Sequence, residues 1–293
     1  MTKIRVGELD VHVQRMAAEG PPADGPSPSH GDGRPPLVVL VHGLLIDSLA
    51  SYYFSLGPAF AARGMDVLMY DLRGHGRTGR PATGYRLEDF VADLDGLLDA
   101  LGEDRPAHVV GNSFGGAVAY GLAAAHPGRV RSVVAIESEP PVASWAAKMA
   151  EGLNGEEGGL VVKEVRTWLA GDPERNARPF QLAGRILDDT TMAEDIPRSA
   201  VLDDGLTGIR CPVFALYGAD SKLSAQAGQL AATLPRCRTV VLPGQGHSVL
   251  VERTKETADL LLHWLGDDIH DETHDEAHDE IHDDIHRTGP EAD

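Results

Sequence analysis

His108-Val109-Val110-Gly111-Asn112-Ser113-Phe114-Gly115-Gly116 is the stretch that decides the fold, followed at once by the small-residue run Ala117–His126 and Pro127. A short β-branched run, a Gly-x-Ser-x-Gly turn and a helix-forming segment follow in that order, and the order matters more than the pattern itself. A nucleophile lifted clear of a sheet needs a turn so tight that its neighbours carry almost no side chain. Gly111, Gly115 and Gly116 meet that need. The helix start that follows would aim its N–H groups at the serine, where they can stabilise a developing oxyanion. Ser113 is therefore expected to be a nucleophile on a strand–turn–helix elbow, and Phe114 to offer one oxyanion-binding backbone N–H.

Upstream of the elbow, Leu37–Val41 is a continuous apolar run of the kind found in strands buried on both faces. A helix is expected around Leu49–Arg63 and another strand at Asp66–Tyr70. Leu87, Phe90, Val91, Leu94, Leu97, Leu98 and Leu101 share one helical face, with Gly102 placed to stop the helix. Downstream, Val130–Ile136, Val213–Tyr217 and Thr239–Leu242 read as strands. Two short strands, Ile4–Val6 and Val11–Gln14, precede everything else. Strands alternating with helices predict an α/β fold with a mostly parallel sheet covered on both sides. Three segments break the rhythm. Residues 17–36 hold six Pro and four Gly and read as a flexible loop. Residues 139–200 carry helical patterns, Trp145 and Trp168, and are expected to form a helical cap. Residues 267–293 repeat His every four residues among acids, from His270 to His286, and are expected to be a disordered appendage outside catalysis.

A serine hydroxyl needs a base. His247, in Gly244-Gln245-Gly246-His247 just past the last strand, has the position for one, whereas His42, His75, His108, His126 and His263 have structural readings. The base needs an acid that fixes its tautomer and stabilises the imidazolium. Asp220, after the strand ending at Tyr217, is the expected acid, with Glu137 and Glu139 after Ile136 as the alternatives. The turn His42-Gly43-Leu44 follows the strand ending at Val41, and the Leu44 N–H is expected to complete the oxyanion hole with Phe114. Asn112 and Trp145 are expected in the substrate pocket.

Four separated motifs resemble those of the α/β-hydrolase family: His42-Gly43, Asp71-x-Arg73-Gly74-His75-Gly76, the Ser113 elbow and Gly246-His247, together spanning roughly residues 3–266. The resemblance implies the order nucleophile–acid–histidine, a short helical lid over the sheet, and chemistry that needs neither metal nor organic cofactor. The elbow Gly111-Asn112-Ser113-Phe114-Gly115-Gly116 looks most like that of meta-cleavage-product C–C hydrolases, although the loop after His42-Gly43 does not.

Composition narrows the partners. The formal net charge is −19, of which residues 267–293 carry −11. That charge disfavours nucleic acid and anionic membrane and leaves a small-molecule substrate as the expected partner, with self-association open. Two cysteines, Cys211 and Cys237, suggest reduced thiols, and the absence of an apolar leader suggests a cytoplasmic protein. Three functions fit these residues: hydrolysis of an ester or thioester of a small or medium apolar molecule, C–C cleavage or acyl-transfer cyclisation with the same triad, and ligand reception on a hydrolase scaffold. A triad with an oxyanion hole is a complete machine for the first.

Overall fold

The computed structural model describes residues 2–20, 34–154, 173–202 and 206–270. Most of the expected 17–36 loop, the patterned residues Val161–Leu169 with Trp168, and the appendage beyond His270 lie outside the described residues.

Eight strands form one sheet: β1 Thr2–Val6, β2 Leu9–Met16, β3 Leu37–Val41, β4 Asp66–Tyr70, β5 Ala107–Asn112, β6 Val130–Ile136, β7 Val213–Gly218 and β8 Cys237–Leu242. Their spatial order is β1-β2-β4-β3-β5-β6-β7-β8, with β2 antiparallel to both its neighbours and the remaining pairs parallel. The apolar run of β3 is buried throughout because the sheet is covered on both faces. Val39 and Val41 pack into one core cluster with Leu94, Phe114 and Val118, while Val38 and Leu40 pack into another with Phe60 and Leu261. This period-two partition gives each buried valine or leucine roughly 1.5–3 kcal/mol of stabilisation against exposure.

The first cluster lies under α3 Leu87–Ala100, α4 Phe114–Ala125 and α5 Ala143–Asn154. Helix α3 ends as the sequence predicts, with Gly102 in the left-handed region at φ 67°. The helix expected over Leu49–Arg63 is instead two pieces, α1 Ala50–Tyr53 and α2 Leu56–Ala61. Pro58 explains the break, because it has no N–H for the carbonyl four residues earlier and its ring crowds that carbonyl. The described parts of residues 139–200 contain helices and no strand: α5, α6 Pro173–Asp189, α7 Met192–Asp195 and a 3₁₀ turn at Ile196–Arg198. Further along the chain come α8 Ala227–Thr233, α9 Val249–Glu252 and α10 Thr254–His270, the last continuing past Gly266, where the appendage was expected to start. Among the described residues no helix is long and apolar enough to cross a membrane, and no group of three His, Cys, Asp or Glu is placed to hold a metal ion.

The carboxyl ends of β3, β5, β6, β7 and β8 lie along one edge of the sheet, where ligands of open α/β sheets bind.

Candidate active site

Ser113 sits between β5 and α4 with φ 54° and ψ −120°, a conformation an L-residue adopts only when the surroundings enforce it. The enforcement is local. A Cβ on Gly111 or Gly115 would come under 3.0 Å from backbone atoms, respectively of Gly115 and of Val41, so the turn closes only because both are glycine. The Ser113 N–H donates to Ile136 O at 2.9 Å, which ties the elbow to the end of β6.

The residue after Ile136 is Glu137, itself at φ 48° and buried. Its carboxylate accepts from three donors. Oε1 takes the N–H of Gly218 at the end of β7. Oε2 takes the Ser221 hydroxyl at 2.6 Å and lies 2.9 Å from His247 Nδ1. The structure brings this carboxylate to His247, and not that of Asp220, the expected acid. Asp220 is exposed, and no hydrogen bond or ion pair of its side chain is present among the described residues. Its contribution is through the backbone, as its N–H donates to Gln245 O at 2.8 Å and so braces the His247 loop. Two adjacent parallel strands each end in an acid. The left-handed turn at Glu137 brings its carboxylate to the histidine, while the turn after Gly218 leaves Asp220 in solvent. Glu139, the other alternative, is occupied elsewhere, with Lys148 Nζ at 2.6 Å and with Gln226 Nε2.

The turn after β3 approaches the elbow closely. A Cβ on Gly43 would stand 3.5 Å from Ser113 Cβ and 3.2 Å from Asp47 Oδ2. Leu45 is left-handed at φ 67°, and its N–H donates to His75 Nε2 at 2.8 Å. The other nitrogen of His75, Nδ1, faces Arg73 O at 2.9 Å and must donate to it, so the ring is neutral with its proton on Nδ1. His42 is arranged alike, with Nδ1 2.7 Å from Gly43 O and Nε2 accepting from the Leu72 N–H at 3.0 Å. The two rings meet edge to face at 5.3 Å. Burial, reinforced by the neighbouring His42, lowers the pKa of His75 from 6.5 to about 3. Tyr52, whose hydroxyl donates to Val41 O at 3.0 Å, is pushed well above the usual tyrosine range by burial and by the charge of Asp47.

Trp145 of α5 is buried and stacked on Phe114, with ring centroids 6.2 Å apart, and Phe114 meets Phe90 edge to face at 4.9 Å. Asn112 Oδ1 is buried without a hydrogen-bond partner among the described residues.

A strand–serine–helix elbow, a histidine held by a buried carboxylate across the sheet end and a glycine-opened turn beside the serine define the site. A model of the alpha/beta hydrolase family matches residues 38–260. The chain belongs to that family. It is 30% identical over 236 residues to 2-(acetamidomethylene)succinate hydrolase of Mesorhizobium japonicum, covering 74% of this chain and 83% of that one. It is also 35% identical over 113 residues to a non-heme chloroperoxidase of Streptomyces lividans. That alignment covers 39% of this hydrolase and 40% of the chloroperoxidase. Among solved structures, the enol-lactonase of Burkholderia xenovorans LB400 superposes with a TM-score of 0.67 at 22% identity, over 90% of this chain and 100% of the other, a likeness of fold.

Two functional features escaped the sequence reading of this α/β hydrolase. The imidazoles of His42 and His75 accept at Nε2 from the backbone of the turns after β4 and β3, a role that their place in the sequence motifs does not specify. Ser221, which shares Glu137 Oε2 with His247, had no sequence signal beyond its place in a turn.

Proposed function

We propose that this α/β hydrolase is a serine hydrolase acting through an acyl-enzyme, with Ser113 as nucleophile, His247 as base and Glu137 as orienting acid, on a carboxylic ester or thioester of a small or medium apolar molecule. The observation that carries the reading is the 2.9 Å contact of His247 Nδ1 with a buried carboxylate held by two further donors. Glu137 accepts a hydrogen bond from the Nδ1–H, which leaves Nε2 as the lone-pair nitrogen. Ser113 Oγ attacks the acyl carbon and its proton passes to His247 Nε2. The bond to the leaving oxygen or sulfur then breaks, and that atom takes the proton from His247. Water repeats the sequence on the acyl-enzyme, releasing the acid and restoring Ser113. The N–H groups of Leu44 and Phe114 are proposed to receive the oxyanion in both halves. No described backbone group accepts from either of them, which leaves both available. The Phe114–Trp145 stack supports an apolar substrate, and residues 139–200 are proposed as the cover that sets specificity.

The test is labelling with a fluorophosphonate, read by intact mass, followed by turnover of p-nitrophenyl esters and acyl thioesters. Wild type should gain one adduct, on Ser113. Ser113→Ala should gain none and lose on the order of 10³-fold or more in kcat. Full turnover by Ser113→Ala would overturn the reading.

A further inference from the structure

The turn from Gly43 to Ile46 has four backbone N–H groups, of which three have an acceptor among the described residues. Gly43 N–H donates to Asp47 Oδ2 at 2.9 Å, Leu45 N–H to His75 Nε2 at 2.8 Å, and Ile46 N–H to Leu44 O at 3.0 Å. The Leu44 N–H is the one of the four without an acceptor among the described residues. The two groups bonded to side chains have a reason to stay bonded. Gly43 and Leu45 are buried, so a lost acceptor there leaves a buried polar group unsatisfied. Leu45 also holds a left-handed backbone that costs energy unless something fixes it.

We propose that Asp47 and His75 are positioning residues of the oxyanion hole: by claiming the N–H groups on either side of Leu44, they turn the Leu44 N–H toward the reacting carbonyl beside Ser113. The inference rests on the serine-hydrolase reading above and adds what prepares that hole before substrate arrives. Asp47 suits the task despite its charge. Its second oxygen, Oδ1, accepts from the Ser51 hydroxyl and, at 3.1 Å, from the Ser48 N–H, so the carboxylate is locked by donors near the place where negative charge develops. His75 suits it because a neutral imidazole with Nδ1 donating to Arg73 O can only accept at Nε2. His42, Asp71 and Arg80 act on His75 through their charges, and Arg73 through its backbone carbonyl. An acceptor is the property the turn uses at both positions, and a conservative variant that keeps one should keep the hole.

The experiment compares Asp47→Ala and His75→Ala with Asp47→Asn and His75→Gln. It measures kcat and KM on a p-nitrophenyl ester and affinity for an alkyl trifluoromethyl ketone, whose hemiketal carries the oxyanion. A donor used only in the transition state lowers kcat and spares KM. The Ala variants should lose on the order of 10- to 100-fold in kcat, lose ketone affinity in parallel and keep KM within about threefold. The Asn and Gln variants should stay within about fivefold of wild type, because each retains an acceptor oxygen. Folded Ala variants with wild-type kcat, or Asn and Gln variants as damaged as the Ala ones, would overturn the proposal. If the Ala variants do not fold, near-wild-type kcat in the Asn and Gln variants upholds it and a large loss sinks it. Wild type that fails to take up the fluorophosphonate would instead show that the serine-hydrolase reading is at fault.

Discussion

Lowering the pH from 7.5 to 5.0 asks the folded protein to keep His75 neutral while the unfolded chain is free to protonate it. The folded pKa is about 3 against 6.5 for the ordinary side chain, the cause being burial and then the neighbouring His42. The sign follows from where the proton goes. A histidine whose folded pKa is depressed contributes fully above about pH 6.5, and that contribution is lost as the pH falls from there towards 3. Each pH unit in that window is worth about 1.4 kcal/mol, so at pH 5.0 the loss is about 2 kcal/mol, a sizeable part of a typical folding free energy. The assay is urea unfolding at both pH values for wild type and for His75→Gln, which keeps an acceptor for the Leu45 N–H without a titrating group. Wild type should lose about 2 kcal/mol more than the variant on going to pH 5.0. Equal losses would refute the reasoning, because they would show that His75 is not held neutral by the fold.

Ser221→Ala removes one of the three donors on Glu137 and should lower kcat by roughly 10-fold at unchanged KM, with Ser221→Thr restoring most of the rate; steady-state kinetics on one ester decides it. Trp145→Ala strips the buried ring from Phe114 and should cost about 3 kcal/mol in urea unfolding, while Trp145→Phe should cost less than half of that; no loss in the Ala variant would show that the stack is not part of the core.

The elbow was legible in the sequence because its requirement is local. Gly111, Gly115 and Gly116 are needed where the chain passes within a few ångströms of itself, and a side chain there has nowhere to go. The strands were legible for a similar reason, since a run such as Leu37–Val41 has a place only where both faces of a sheet are covered. Which carboxylate meets His247 was not legible. Glu137 and Asp220 each follow a strand, and the choice between them depends on the left-handed turn at Glu137 and on the Gly218 N–H and Ser221 hydroxyl, which come from another strand end. The break between α1 and α2 has a signal in the sequence, Pro58, which the expectation of one helix over Leu49–Arg63 did not use. The bracing of the β3 turn could be read only once β3 and β4 were known to be neighbours, because Leu45 and His75 are thirty residues apart.

Glu137 is proposed to orient His247, whose Nε2 takes the Ser113 proton, and the burst of acyl-enzyme formation tests that role most directly. Glu137→Gln, Asp220→Asn and wild type are mixed rapidly with a p-nitrophenyl ester, and the acylation rate constant is read from the release of nitrophenolate. Glu137→Gln presents an amide N–H or a weaker acceptor to Nδ1 and should slow acylation by roughly 10²- to 10⁴-fold. Asp220→Asn keeps the backbone bond to Gln245 and should acylate within about threefold of wild type. A severe loss in Asp220→Asn beside a mild one in Glu137→Gln would contradict the account and return the role of orienting acid to the end of β7.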